Sequence, residues 1–138
     1  MSRITKEEAI ELNQNFIKTK GKALNKVVES LNKKPKEKDA ISSWFSLEEL
    51  QSFIDDCKSK NKDVNGFRIY FGSYGNKDKS KKNLSTVFIA PTKQILKQGE
   101  AGKDGVELTS NNGDIPELGA LNRGGVGNPP SADYPQLV

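Results

Sequence analysis

Residues 44–71, WFSLEELQSFIDDCKSKNKDVNGFRIYF, decide the fold because they join a well-marked helix to a well-marked strand. Ser46 is a typical N-cap residue, and Glu49 three positions later completes a capping box. Acidic residues open the following segment and lysines close it, as the helix dipole favours. The pattern therefore predicts a helix over 47–59.

Two side chains of this stretch are predicted to lie in the core. Cys57 shares a helical face with Leu50 and Phe53, so we expect a small buried residue rather than a reactive thiol. Trp44, just before the helix, is expected to anchor the core.

Residues 67–71 alternate apolar and polar side chains, which predicts a strand with one buried face. The alternation places three side chains on the buried face and two on the outer face: Phe67, Ile69 and Phe71 inside, Arg68 and Tyr70 outside. The strand is followed by a polar loop, 72–83, which we expect to have a mobile tip.

A second strand is predicted over 84–90 and is expected to end at Pro91. The two strands would form an antiparallel pair around the loop. Because two strands alone are marginally stable, at least one more is expected, with 94–96 and 106–108 as weak candidates.

The N-terminal segment predicts a helix or a helix pair over 6–32. Thr5 and Glu8 form a capping box, and Gly21 interrupts the pattern, so one helix or two joined near Gly21 are both consistent with it. The apolar residues that share one helical face are Ile10, Ile17, Leu24, Val28 and Leu31. A charged linker, 33–38, follows.

The C-terminal part has a different composition. Residues 99–138 hold eight of the 12 glycines and four of the 6 prolines. We expect irregular coil that packs Leu118, Leu121 and Tyr134 on the sheet. The sequence thus predicts an α+β domain in three parts: a helical segment and linker at 1–38, a helix and β-hairpin at 39–98, and a coil at 99–138.

The composition excludes several kinds of chemistry. With no histidine and a single cysteine, the chain cannot by itself build a Ser-His-Asp triad, a zinc site with histidine ligands or a disulfide. No catalytic, cofactor-binding or metal-binding residue is predicted. Lys, Tyr, Asp and Glu remain as acid–base groups, so an enzyme is disfavoured rather than excluded.

The net charge of +4 is unevenly distributed. Residues 18–38 hold eight lysines, and a second cluster follows in the loop: Lys77, Lys79, Lys81 and Lys82. Solvated surfaces explain such clusters most simply, and an anionic partner is the alternative. Only three arginines are present, which argues against a dedicated reader of nucleic acid.

The candidate binding surface combines the outer strand face, the loop lysines and a glycine-rich loop at 123–130: Arg68, Tyr70, Lys77, Lys79, Lys81, Lys82 and Arg123. The leading hypothesis is a non-enzymatic module that binds a protein partner or a second copy through the N-terminal helix. Two alternatives remain: nucleic-acid binding through the lysines, and a small-ligand or enzyme pocket between the Arg68/Tyr70 face and the 123–130 loop.

Four segments in this order, 44–50, 66–72, 86–92 and 128–130, resemble a group of small uncharacterised bacterial proteins. The resemblance covers about residues 40–135. It implies a stand-alone α+β domain and carries over no functional residue.

The first eight residues, MSRITKEE, contain no apolar stretch of the kind found in secretory signals. No run in the chain approaches the length of a membrane span. A cytoplasmic location is therefore the expectation.

Overall fold

The computed structural model describes residues 1–98, 106–122, 125–126 and 131–136. Their architecture is α+β, as predicted: one long N-terminal helix, a second helix and a three-stranded antiparallel sheet. Among the described residues, no helix is long and apolar enough to cross a membrane.

The N-terminal helix, α1, runs through three successive segments: α-helical Lys6–Phe16, π-helical Ile17–Gly21 and α-helical Lys22–Asn32. The predicted capping box is confirmed, because Glu8 N–H donates to Thr5 Oγ1 at 3.1 Å and Thr5 N–H donates to Glu8 Oε2 at 2.7 Å. The π-helical segment that ends at Gly21 joins the two α-helical segments directly, so the chain forms one helix here rather than two.

Gly21 is buried, and the space around it is small. A Cβ atom there would lie 3.3 Å from the carbonyl oxygen of Phe16, closer than an ordinary van der Waals contact. The helix ends at Lys33, which has left-handed backbone angles and precedes Pro35 by two residues.

The second helix, α2, spans Leu47–Lys60. Ser46 Oγ accepts a hydrogen bond from Glu49 N–H at 3.0 Å, which confirms the predicted N-cap. Cys57 is fully buried, as predicted. The prediction for Trp44 was wrong: it lies in a two-residue strand, β1 (Ser43–Trp44), and 65% of its surface is exposed.

The main sheet contains β2 (Gly66–Ser73), β3 (Ser85–Gln98) and β4 (Val106–Asp114), in that order. β3 pairs antiparallel with β4 from Thr92 opposite Asp114 to Gln98 opposite Val106. The expected third strand exists: 94–96 extends β3 and 106–108 begins β4.

Pro91 does not end β3, contrary to the prediction. Although proline has no N–H to donate, its carbonyl oxygen accepts from Ile115 N–H at 3.0 Å. The strand can therefore continue through it to Gln98.

The face of β2 that was predicted to be buried is largely exposed. Phe67 does pack on Phe53 of α2, with ring centroids 5.7 Å apart. Ile69 and Phe71, however, are 60% and 89% exposed, whereas Arg68 and Tyr70 are partly buried. Alternation identifies the two faces of a strand, but the neighbouring elements decide which face is covered.

The described residues divide into two compact units, and β2 and β3 contribute to both. The first unit draws on 1–44, 71–86 and 125–138, and its described buried residues are Gly21, Val28, Asp39 and Ala40. The second draws on 45–70 and 87–124, and its buried residues are Cys57, Ile89, Ala90, Pro91, Thr92 and Ile115. The three-part division at residues 38 and 98 stays a prediction.

The C-terminal part is only partly irregular. Besides β4, it contains a 3-10 turn at Pro116–Leu118 and a short strand, β5 (Gly125–Val126), that pairs with β1. Leu121 pairs with Ile89 of β3 through backbone hydrogen bonds, and the expected packing of its side chain on the sheet stays a prediction. Tyr134 is instead held at α1, where its N–H donates to Asn13 Oδ1 at 2.8 Å. The expectation of coil at 99–105 and 127–130 falls outside the described residues.

Candidate functional site

Arg68 and Tyr70, predicted as an outward binding face, converge on one carboxylate of β4. Arg68 Nη1 donates a hydrogen bond to Asp114 Oδ1 at 2.9 Å, and the Tyr70 hydroxyl donates one to Asp114 Oδ2. Arg68 Nη2 also donates to the carbonyl oxygen of Asn112 at 2.7 Å. Tyr70 in turn stacks on Phe88, with ring centroids 5.0 Å apart. These two side chains therefore clamp the edge strand β2 to β4.

A second set of hydrogen bonds extends this clamp. Asn65 Nδ2 donates to Asn112 Oδ1 at 2.8 Å, and Thr92 Oγ1 donates to Asn65 Oδ1 at 2.9 Å. Asn65 and Asp114 also line a cavity of about 700 Å³, together with Asp63 and Lys93. The sequence did not reveal Asp114 as the partner of Arg68, because strand register is set by long-range pairing.

The lysine-rich loop between β2 and β3 is held by Asp78. Its Oδ1 accepts from Lys81 N–H at 2.6 Å and from Ser80 N–H at 3.1 Å. These backbone hydrogen bonds, the one from Lys81 first, lower the pKa of the Asp78 carboxyl. Lys81 Nζ lies 5.3 Å from the centre of the Tyr74 ring, in cation–π geometry. The loop therefore contains internal hydrogen bonds, and the mobility expected of its tip stays a prediction.

Two asparagines fasten the loop to the C-terminal end of α1. Asn83 Nδ2 donates to Asn32 Oδ1 at 2.7 Å, and Asn32 Nδ2 donates to the carbonyl oxygen of Lys82 at 2.9 Å. Asn83 has a φ of 59°, a left-handed conformation that asparagine tolerates better than most residues. We call this pair the asparagine clamp.

Next to the asparagine clamp, lysines from both clusters of the sequence line one cavity. Lys34 from the linker and Lys79 and Lys82 from the loop line one cavity of about 420 Å³. Glu37 lines the same cavity, and its Oε2 atom is buried without a hydrogen-bond partner. We call this the lysine pocket. The sequence showed both clusters, but not that lysines from both line one cavity.

A different groove carries aromatic side chains. Trp44 and Tyr134, both exposed, line a cavity of about 330 Å³ with Ile41. The remaining lining residues are small or polar: Asn13, Ser42, Ser43, Ala132 and Gln136. None of these side chains is charged, although 29% of the residues in the chain are. We call this the aromatic groove. The sequence does not reveal this groove, because the position of Trp44 just before α2 predicts a core residue.

The residues of the predicted binding surface are divided between the two compact units, and their assembly into one site stays a prediction. Arg68 and Tyr70 belong to one compact unit, and the loop lysines, of which Lys77, Lys79 and Lys82 are exposed, belong to the other. Arg123 and most of the 123–130 loop fall outside the described residues. In the part of the chain that the structure describes, no three Cys, Asp or Glu residues are grouped to hold a metal ion.

Comparison with known proteins returns no match: no family model, no curated protein and no solved structure is significantly similar to this chain.

Proposed function

We propose that the protein is a non-enzymatic module that binds an uncharged, apolar peptide segment of a partner protein in the aromatic groove. The observation that carries the proposal is the exposure of Trp44 at the edge of a groove whose described lining residues are all uncharged. Tryptophan and tyrosine are enriched among the residues that dominate the binding free energy of protein interfaces.

The size and lining of the groove support this occupant. Its volume, about 330 Å³, is at the lower end of the range for small-ligand sites and would hold a few peptide side chains. Grooves lined with aromatic side chains are a recurrent means of recognising extended, apolar or proline-rich peptides. Ser43 and Asn13 add polar groups of the kind that bind a peptide backbone.

The N-terminal helix enters this proposal as part of the groove. Its predicted docking face includes Val28, which is buried within the fold and is not available to a partner. Asn13 lies at the groove, where its side chain already holds Tyr134. We therefore place the contribution of α1 at Asn13 rather than along the whole apolar stripe.

A peptide library displayed on phage tests the proposal directly. We expect selection on the protein to enrich uncharged, apolar peptides, and synthetic copies to shift the emission of Trp44, the single tryptophan of the chain. Trp44→Ala should weaken their binding by about tenfold or more, measured by calorimetry, because aromatic anchors dominate such interfaces.

Leu47→Ala is the matched control, since Leu47 is also an exposed apolar residue but does not line the groove. Its affinity for the selected peptides should stay unchanged. Failure to enrich any peptide, or equal binding by the Trp44→Ala variant, would overturn the proposal. Enrichment of charged peptides would overturn the assigned ligand class.

A further inference from the structure

We propose that the lysine pocket binds a small phosphorylated molecule that also carries a hydroxyl or amine group. Lys34, Lys79 and Lys82 would bind the phosphate, and Glu37 would accept a hydrogen bond from the rest of the ligand. This site is distinct from the aromatic groove, because none of the described residues lines both cavities.

Three positive side chains at one cavity are the first argument. Lys34 belongs to the linker after α1, whereas Lys79 and Lys82 belong to the loop before β3. An anion bound among the three ammonium groups would offset the electrostatic repulsion between them. Lysine commonly binds phosphate in this way, as a point charge. A dianionic phosphate group matches this concentration of charge.

The rigidity of the pocket is the second argument. The asparagine clamp and the Asp78 hydrogen bonds hold the loop in place, so the lysine backbones are ordered before a ligand arrives. A site whose parts are already positioned loses less entropy on binding. Flexible surface lysines on an unrestrained loop would lack this advantage.

Glu37 defines the second half of the ligand. Its Oε2 atom is buried yet accepts no hydrogen bond from a described residue, which is unusual because buried polar atoms are nearly always satisfied. A carboxylate beside three lysines repels a bare polyanion but favours a ligand that places a donor group next to its phosphate. Ligand selectivity is therefore assigned to Glu37.

Two-dimensional NMR titration with three probes tests both halves of the site: glycerol 1-phosphate, inorganic phosphate and glycerol. We expect glycerol 1-phosphate to cause saturable shifts at the amides of residues 34, 79 and 82, with inorganic phosphate several-fold weaker and glycerol silent. Glu37→Ala should remove the preference for glycerol 1-phosphate over phosphate, because the acceptor is lost.

Charge-matched variants separate the pocket from general electrostatic attraction. The triple variant Lys34→Gln, Lys79→Gln, Lys82→Gln should lose at least about tenfold in affinity for glycerol 1-phosphate. The control variant Lys18→Gln, Lys20→Gln, Lys22→Gln removes the same charge from exposed positions of α1 and should bind as the unmodified protein does. Equal loss in both variants would overturn the proposal.

A single-stranded oligonucleotide distinguishes a nucleic-acid surface from a small-ligand pocket. If the oligonucleotide binds and glycerol 1-phosphate does not displace it from residues 34, 79 and 82, the small-ligand assignment is wrong. The absence of saturable shifts with any phosphate probe also overturns it. Displacement of the oligonucleotide by glycerol 1-phosphate supports the pocket as the phosphate site.

Discussion

Ser85 donates two hydrogen bonds to the buried carboxylate of Asp39, which lies 46 residues earlier in the chain. Ser85 N–H donates to Asp39 Oδ1 at 2.6 Å, and the Ser85 hydroxyl donates to Asp39 Oδ2. Asp39 Oδ1 also accepts from Ala40 N–H at 2.8 Å, while Asp39 N–H donates to Asn25 Oδ1 at 2.8 Å. Asp39 thereby links α1 to the first residue of β3.

Asp39→Ala should destabilise the protein by about 2–4 kcal/mol, because it leaves the buried N–H of Ala40 and the two part-buried donors of Ser85 without their acceptor. Urea unfolding followed by circular dichroism measures this loss. Asp55→Ala is the control: Asp55 is exposed and accepts one side-chain hydrogen bond, from Gln51, so its replacement should cost no more than about 0.5 kcal/mol. Equal costs for the two variants would contradict the role of Asp39.

Phe67 and Phe71 lie on the same face of β2 and should respond very differently to truncation. Phe71→Ala should change the free energy of unfolding by at most about 0.5 kcal/mol, because its side chain is almost fully in water. Phe67→Ala should cost about 2 kcal/mol, since its ring packs on Phe53 but is only partly buried. Similar losses would mean that the predicted apolar face of β2 is covered after all.

The loop before β3 should depend on pH through Asp78. Its carboxyl pKa is lowered in the folded loop, so the stabilisation is complete above its usual value, about 4, and is lost as the pH falls through the lowered folded pKa. NMR should show the Lys81 amide shift titrating together with the Asp78 carboxyl carbon.

Asp78→Asn provides the control for this titration. The amide side chain keeps an oxygen acceptor for Lys81 N–H but carries no titrating proton. The Lys81 amide shift should then become nearly constant over the same pH range. A carboxyl of Asp78 that titrates at or above its ordinary value would refute the explanation.

Cys57 should resist thiol reagents in the folded protein. Burial, with a smaller contribution from Asp56, raises the pKa of its thiol, and the thiolate is the reactive form. We expect modification by a disulfide reagent to be at least about tenfold slower in the native protein than in urea. A Cys57→Ala, Ser59→Cys variant, whose thiol would be exposed two positions away, should react at once. Fast native modification of Cys57 would be inconsistent with its burial.

Local features of this protein could be predicted from its sequence because they depend on neighbours along the chain. Thr5 and Ser46 begin their helices through hydrogen bonds to residues three positions later. The buried position of Cys57 and the strand at 67–71 likewise follow from short-range periodicity.

The start of each helix, the α+β class and the residue types available for binding could therefore all be read from the order of the amino acids. Three features emerge only from the folded chain: Asp114 holds the Arg68 face of β2, Trp44 lies at a groove, and Lys34 lines the same cavity as Lys79. Each of these depends on contacts between segments far apart in the chain, whose free energy no local pattern contains.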